Sequence, residues 1–315
     1  MTNPNLPPAW QACVDLGGTK VAVTLARAGK LLLETRLSDS TAKEGERDAV
    51  ARQILRLIDA AAVQSGVAPA DIAGVGVSSC SPFVREDGLA ALATPNICGG
   101  LAGPARGLPN SWMSAALEAP LRPRFAQVRV ENDAVAALVA ERRWGALQGA
   151  QSCAYVTWST GIGVGLCVDG HVLRGKNGNT GHAGHMFVTD NNDALCGCGN
   201  VGDLEAIVAG NALPRRFGSD AATLLIAAQA GNTQALAQID DVCRAMGRML
   251  YNLVVTLDLE RISLCGSVFW HHRGFLLPRL AQQLHGKMPA LTEGVEIVPA
   301  GLGLELGDYA ALALL

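Results

Sequence analysis

The feature that most constrains the fold of this 315-residue chain is a strand–turn–strand pattern that occurs twice. Residues 12–25 contain an apolar strand, a Gly-Gly turn and a second apolar strand, and residues 153–168 repeat this order around a Gly-Ile-Gly turn. Because a strand follows each turn directly, each pattern predicts a β-hairpin rather than the strand-to-helix loop of a P-loop protein. The duplication predicts two related α/β lobes with a cleft between them.

The other elements are predicted from the periodicity of apolar residues. They are helices over 47–64, 132–144 and 240–257, strands over 72–77, 127–130 and 261–264, and a helical end over 309–315. Asn132 suits an N-cap and Gly145 a helix stop. We expect a first, small lobe of residues 1–131, completed by a C-terminal helix over 302–315, and a second, large lobe of residues 132–301.

Composition limits the class of protein. A formal net charge of −3 and a pI near 6.1 give no basic footprint for nucleic acid, so we expect no nucleic-acid partner. No apolar run approaches the roughly 20 residues of a membrane span, and the prolines of residues 1–10 are unlike a secretory signal. The nine cysteines are mostly scattered, and several, such as Cys13, Cys153, Cys167 and Cys265, lie in apolar strands as core residues would. We therefore expect a cytoplasmic protein.

Both glycine turns are candidate phosphate sites. A turn without Cβ atoms lets backbone N–H groups and a neighbouring hydroxyl approach a phosphate, although a plain hairpin turn also explains Gly-Gly. The second copy, and a later Gly-Ser turn, favour a nucleotide enclosed from three sides. The candidate nucleotide-binding residues are Asp15, Gly17, Gly18, Thr19, Lys20, Thr160, Gly161, Gly163 and Gly266.

Asp133 is the candidate catalytic base. It follows a predicted strand and falls in the first turn of a predicted helix, from which its carboxylate can project into a cleft. In phosphoryl transfer such a group accepts the proton of the attacking hydroxyl. A favourable interaction with the positive end of the helix, worth about 0.3–1 kcal/mol, explains an aspartate there equally well.

Five ordered segments resemble the ROK family of sugar kinases and related repressors, which belongs to the actin-like ATPase superfamily. They are residues 15–20, 131–134, 159–163, 181–185 and 196–205, and residues 307–310 resemble the C-terminal end of the family. The chain is similar to bacterial N-acetylmannosamine kinase and glucokinase members. This resemblance implies a two-lobed actin-like ATPase (ribonuclease H-like) fold, a homodimer, Asp133 as the base, and ATP with Mg²⁺ placed in part by Asp15.

The resemblance also implies a structural zinc ion in the loop over residues 182–205. His185, Cys196 and Cys198 stand in the family's zinc-ligand order, and Asp203 occupies the position of the third cysteine. Zinc is normally four-coordinate in structural sites and accepts carboxylate oxygen. Three alternatives stay open: Asp203 is the fourth ligand, water or another residue fills that place, or the site has lost its metal.

Sugar contacts follow from the same resemblance. Asn96 lies in a Pro-Asn loop, Asn132 is expected to hold a sugar hydroxyl, and Glu205 matches a glutamate that binds the reducing-end hydroxyls. His185 is a further expected contact. His182 replaces the family's usual glutamate, as in bacterial N-acetylmannosamine kinases, and an imidazole both donates and accepts hydrogen bonds. The alternative is a surface-loop histidine.

The favoured hypothesis is an ATP-dependent kinase for the 6-hydroxyl of a hexose or amino sugar, with N-acetylmannosamine or another amino sugar preferred and glucose second. A polyphosphate donor stays open. A sugar-sensing repressor of this family carries an N-terminal helix-turn-helix, for which the 14 residues before Asp15 are too few. A non-catalytic sugar-sensing regulator remains the alternative, whereas a zinc hydrolase would leave both glycine hairpins without a purpose.

Overall fold

The computed structural model describes residues 9–102, 107–190 and 193–315. The chain divides into two compact units. The first consists of Met1–Ala140, Arg174–Asn179 and Glu305–Leu315, and the second of Glu141–Leu173 and Thr180–Leu304. No helix in the described part of the chain is both long enough and apolar enough to cross a membrane.

The first unit is built on a five-stranded sheet of order β3-β2-β1-β4-β8. Its strands are β1 (Trp10–Leu16), β2 (Lys20–Arg27), β3 (Lys30–Ser40), β4 (Ile72–Ser79) and β8 (Gln127–Asn132). Strands β1, β4 and β8 are parallel, and β2 and β3 are antiparallel to their neighbours. A second, three-stranded sheet contains β5 (Phe83–Glu86), β6 (Leu89–Leu92) and β7 (Ala115–Ala116).

The helices of this unit are α1 (Ala49–Gln64), α2 (Gly99–Ala102), α3 (Glu118–Leu121), the first part of α4 (Asp133–Trp144) and α12 (Leu306–Leu312). Alternate residues of a strand point to opposite faces of its sheet. Val14 of β1 packs in one core with Ile54 of α1, whereas the glycine at position 76 of β4 meets α12, where a Cβ would lie 2.3 Å from the Ala311 carbonyl oxygen. The sheet is therefore covered on both faces, with Asp15 on the α12 side.

The second unit repeats this sheet. Its strands β9 (Cys153–Trp158), β10 (Ile162–Val168), β11 (His171–Val172), β12 (Arg261–Cys265) and β13 (Glu296–Pro299) have the order β11-β10-β9-β12-β13. As in the first unit, an antiparallel hairpin at one side adjoins parallel strands at the other. The matching topology confirms the α/β fold predicted from the duplicated hairpin.

The helices of the second unit are α5 (Leu204–Val208), α6 (Leu213–Phe217), α7 (Ala221–Gln229), α8 (Thr233–Leu257), α9 (Ser267–Trp270), α10 (Arg273–Leu284) and α11 (Pro289–Thr292), besides the end of α4. Helix α8 contributes a long buried stripe to the core, including Ile239, Met246 and Leu253. The cysteines predicted as core residues, Cys13, Cys153, Cys167 and Cys265, are buried free thiols.

The boundary between the units differs from the expected one. We expected it after residue 131, but the first unit continues to Ala140, because β8 runs without a break into α4. Residues 174–179 also belong to the first unit, where Arg174 pairs with Glu131 at 3.0 Å and Asn179 Oδ1 accepts a hydrogen bond from the Phe83 backbone N–H. The C-terminal part of that unit begins at Glu305 rather than at 302.

Candidate active site and metal centre

The carboxyl ends of three parallel strands place the predicted base in the first unit. Leu16 of β1 pairs with Ser79 of β4, which in turn pairs with Asn132 of β8, so the three strands end level. Asp133 follows as the first residue of α4. Asp15 lies one residue before the end of β1. The two candidate carboxylates therefore come from the same edge of one sheet, on strands β1 and β8, which are separated by β4.

Asn132 fixes the orientation of Asp133. Its Oδ1 accepts hydrogen bonds from the backbone N–H groups of Ala134 (3.0 Å) and Val135 (3.2 Å), which confirms the predicted N-cap. Its Nδ2 donates to Ser81 Oγ (2.7 Å) and to Asp133 Oδ1 (3.0 Å). Asp133 Oδ1 also accepts the Ala134 N–H at 2.8 Å. Asn132 is buried, and its amide is used inside the protein to hold this carboxylate.

Asp15 lies in an environment that disfavours its charge. Burial raises its pKa to about 6, and the neighbouring carboxylates of Asp133 and Asp308 add to the shift. Arg36 and Lys20 oppose it, although Arg36 is itself paired with Asp308. A carboxylate short of positive charge at a strand end is the kind of oxygen ligand that suits Mg²⁺.

The first glycine turn is closed by a hydrogen bond from Gly17 N–H to the Lys20 carbonyl oxygen at 2.8 Å. The side chain of Asn96 lies directly against this turn, since a Cβ at position 18 would be 2.8 Å from Asn96 Cβ. Gly18 is therefore required for this close approach. Thr19, Lys20 and Asn96 are exposed.

The second glycine turn has a comparable arrangement in the second unit. A Cβ at Gly161 would lie 2.7 Å from Glu205 Oε2, and Gly163 belongs to β10, while Thr160 at the tip is exposed. Gly266, with φ of +100°, lies against the end of β9, where a Cβ would be 2.3 Å from the Trp158 carbonyl oxygen. Gly266 and the turn thus meet at the carboxyl end of one strand.

The predicted site residues fall into two groups, each within one unit. The first unit contains Asp15, Gly17, Gly18, Thr19, Lys20, Asn96, Asn132 and Asp133. The second contains Thr160, Gly161, Gly163, His182, His185, Cys196, Cys198, Asp203, Glu205 and Gly266.

The predicted metal ligands converge. The ligand atoms of His185, Cys196, Cys198 and Asp203 all lie within 4.8 Å of one another. His185 Nδ1 is 2.9 Å from Asp203 Oδ2, 3.8 Å from Cys196 Sγ and 3.5 Å from Cys198 Sγ. One nitrogen, two sulfurs and one carboxylate oxygen form a donor set that fits four-coordinate zinc.

The charges of this cluster also fit a cation. Asp203 is fully buried, which by itself would raise its pKa, but hydrogen bonds from His185 and from the Ala206 N–H outweigh burial and lower the pKa. Burial strongly raises the pKa of the Cys196 thiol. A buried thiolate at this position therefore needs a compensating positive charge, which a metal ion supplies.

Glu205 and His182 lie beside the cluster. Glu205 Oε2 accepts a hydrogen bond from the Ile162 N–H at 2.9 Å, and Glu205 Oε1 is 3.8 Å from Cys196 Sγ. The half-buried His182 ring stacks near the ring of His185, with centroids 6.1 Å apart. The second unit thus places two imidazoles and a carboxylate around one loop.

Comparison with known proteins agrees with this geometry. The sequence model of the ROK family matches residues 11–314. The chain belongs to the ROK family. It is 28% identical over 325 residues to a glucokinase from Aeropyrum pernix, covering 96% of this chain and 95% of that protein. It is 27% identical over 267 residues to an N-acetylmannosamine kinase from Haemophilus influenzae, covering 81% of this chain and 79% of that protein.

Among solved structures, a ROK hexokinase from Thermus thermophilus matches with a TM-score of 0.75 and 30% identity, and 97% of each chain is covered. The predicted family and the predicted actin-like ATPase fold are therefore confirmed.

Two residues of the site were missed in the sequence. Ser81 Oγ accepts a hydrogen bond from the Asn132 side-chain amide. The charge of Asp308 contributes to the raised pKa of Asp15. Asp308 stands in the Gly-Asp-Tyr-Ala segment that resembles the family's C-terminal end, so a signal for it existed. Ser81 lies in a short polar run after β4 whose sequence carries no comparable signal.

Proposed function

We propose that this ROK protein is an ATP-dependent sugar kinase that phosphorylates the 6-hydroxyl of a hexose or amino sugar. The names of its relatives support a sugar kinase, since all three proteins compared above are called glucokinase, N-acetylmannosamine kinase or hexokinase. The observation that carries the proposal is the Asp133 carboxylate, held by Asn132 at the end of β8 and next to the charge of Asp15.

Asp133 serves as the general base in this reaction. Its carboxylate accepts the proton of the sugar hydroxyl while the hydroxyl oxygen forms its bond to the γ-phosphorus of ATP. The bond from the γ-phosphorus to the bridging oxygen breaks, and ADP leaves with that electron pair. Because Asn132 and the Ala134 N–H fix Asp133 Oδ1, the carboxylate meets the hydroxyl without first reorganising.

The glycine turns hold the phosphates of the nucleotide. Backbone N–H groups around Gly17 and Gly161, together with the hydroxyls of Thr19 and Thr160, are the donors we assign to this task. Asp15 holds Mg²⁺, which when bound neutralises phosphate charge. The raised pKa of Asp15 supports this role, because a bound cation would offset both the burial of the carboxylate, which is the main cause, and its repulsion from Asp133 and Asp308.

We assign a structural zinc ion to His185, Cys196, Cys198 and Asp203. The convergence of the four donor atoms supports Asp203 as the fourth ligand over a water molecule. With all four places taken by protein, the ion has no position for a reactive water, so it stabilises the loop and does not take part in the chemistry.

His182 favours an amino sugar, N-acetylmannosamine first, with glucose as the second candidate. A neutral imidazole both donates and accepts hydrogen bonds, which suits an acetamido group better than a carboxylate does. A coupled assay of ADP release with N-acetylmannosamine, glucose and other hexoses at equal concentration ranks these substrates by kcat/KM.

The central test replaces Asp133 with Asn. We expect turnover to fall by about 10²–10⁴-fold while sugar affinity is retained, because the amide keeps the size of the side chain but cannot accept the proton. The control is Asp220→Asn, which changes an exposed helix-capping carboxylate in the second unit. Unchanged turnover in Asp133→Asn would remove the base from the mechanism. A wild-type protein that binds sugar without releasing ADP would favour the sugar-sensing regulator.

A further inference from the structure

One short segment links the metal cluster to the second glycine turn. We call residues 203–211, which contain α5, the linking segment. It begins at Asp203, whose carboxylate has two separate partners. Oδ1 accepts the Ala206 N–H at 2.9 Å and so caps α5, whereas Oδ2 lies 2.9 Å from His185 Nδ1 and 3.5 Å from Cys198 Sγ. The start of α5 is therefore held by a residue of the metal cluster.

The far end of the linking segment is bound to the turn. Val208 carbonyl oxygen accepts the Trp158 Nε1–H at 2.8 Å, and Gly210 N–H donates to the Ser159 carbonyl oxygen at 2.8 Å. Asn211 N–H donates to the Thr160 carbonyl oxygen at 3.4 Å. The linking segment and the turn are closely packed, since a Cβ at Gly210 would lie 2.9 Å from the Ser159 carbonyl oxygen. Both the strand that enters the turn and its tip are thus bonded to this segment.

Glu205 makes the most direct connection. Its Oε2 accepts the Ile162 N–H at 2.9 Å, and its Oε1 is 3.8 Å from Cys196 Sγ, a second member of the metal cluster. The contact with Gly161 is so close that a Cβ there would lie 2.7 Å from Oε2. One carboxylate therefore touches the metal cluster with one oxygen and the turn with the other.

We propose that Glu205 is a positioning residue through which the metal cluster shapes the second glycine turn, so that loss of the metal weakens nucleotide binding as well as sugar binding. This inference rests on the proposed function, in which the turn holds nucleotide phosphates. Without the ion, the four donor atoms lose the common partner that holds them within 4.8 Å of one another, so the loop can open. The cap on α5 and the acceptor for Ile162 are then both displaced, and the N–H groups of the turn lose their fixed direction.

Hydrogen exchange tests the connection without reference to activity. The full-length protein is prepared with zinc and after zinc removal by a chelator, and metal content is measured by mass spectrometry. We expect the amides of Ile162 and Gly210 to exchange faster after zinc removal by at least about fivefold, the equivalent of one hydrogen bond. The first glycine turn at residues 17–20, which belongs to the other unit, is the internal control and keeps its exchange rate.

Variants test the role of Glu205 itself. Glu205→Ala is expected to speed Ile162 exchange and to raise the Kd of a fluorescent ATP analogue, measured without sugar, by about fivefold or more. Glu205→Gln keeps an acceptor oxygen, so its Ile162 exchange rate and its Kd for the analogue are expected to be close to those of the wild type. Trp158→Phe removes only the indole N–H that donates to the Val208 carbonyl oxygen. It should therefore raise the Kd of the ATP analogue while leaving the zinc content unchanged.

Three results would overturn the inference: a zinc-free protein with unchanged exchange at Ile162 and an unchanged Kd, Glu205→Ala with wild-type values of both, or a protein that takes up no zinc. Failure of the proposed function would look different. In that case the zinc-loaded wild type would neither bind the ATP analogue nor release ADP with any sugar, while the exchange measurement would still report whether cluster and turn are connected.

Discussion

Asp15 is expected to lower the free energy of unfolding at neutral pH when no Mg²⁺ is bound. Its pKa is about 6 in the folded protein against an ordinary value of 3.8, chiefly because it is buried and then because Asp133 and Asp308 lie near. The difference of 6 − 3.8 = 2.2 corresponds to about 3 kcal/mol at 1.36 kcal/mol for each pKa unit. This value is an upper limit, because Asp15 retains some contact with solvent, which screens its charge.

The sign follows from proton binding. Between pH 3.8 and about 6 the folded state holds a proton on Asp15 that the unfolded state has released, so unfolding loses a proton. The stabilisation that the proton gives is complete below pH 3.8 and is lost as the pH rises through about 6. Asp15→Asn removes this dependence. At pH 7.5 it should raise the free energy of unfolding by up to about 3 kcal/mol, while activity should fall if Asp15 holds Mg²⁺ as proposed.

The assay is urea unfolding of wild type and Asp15→Asn from pH 4 to pH 8, in buffer free of Mg²⁺ and of chelators that would strip zinc. The quantity of interest is the difference between the two proteins at each pH, in which the titrating groups that do not interact with Asp15 cancel. Asp71→Asn, an exposed carboxylate in the same unit, is the matched control and should follow the wild type throughout. A constant difference between wild type and Asp15→Asn across this range would refute the reasoning.

Three further predictions concern single contacts. Glu141 is fully buried and accepts three backbone N–H donors, so Glu141→Ala should lower the free energy of unfolding by about 3–5 kcal/mol in urea titration. Asp203→Cys should retain one zinc ion per chain by mass spectrometry but lose about 1 kcal/mol of stability, because the α5 cap is removed. Asn132→Ala removes one of the hydrogen bonds that hold the Asp133 carboxylate and should lower kcat by about tenfold or more.

The elements that were predicted correctly are those specified by local sequence. The two hairpins were found because strand, glycine turn and strand are contiguous, and α4 because Asn132 caps it with its own side chain. Strand β3 was missed because its exposed and buried residues do not alternate regularly. Helix α10 was missed because Pro278, a residue that disfavours helix interiors, stands inside it.

The candidate metal cluster was predictable for a similar reason. His185, Cys196, Cys198 and Asp203 lie within one loop, and their types and order point to one ion. The surroundings of Asp15 were not predictable from the local sequence, because Asp308 reaches it from α12 at the other end of the chain. Nor does any pattern around Glu205 indicate its hydrogen bond to Ile162, which arises from the packing of α5 on the turn.

The duplicated fold repeats one contact that unites the two binding tasks. In the first unit, the candidate sugar residue Asn96 packs against Gly18 of the first turn, where an added Cβ would lie 2.8 Å from Asn96 Cβ. In the second unit, Glu205, also a candidate sugar residue, packs against Gly161, where an added Cβ would lie 2.7 Å from Glu205 Oε2. Each turn glycine is thus the point where a side chain assigned to the sugar meets a backbone assigned to the nucleotide. If the proposed assignments hold, a sugar that orders either side chain would also restrict the adjacent turn, and each unit would contain its own route from sugar binding to phosphate binding.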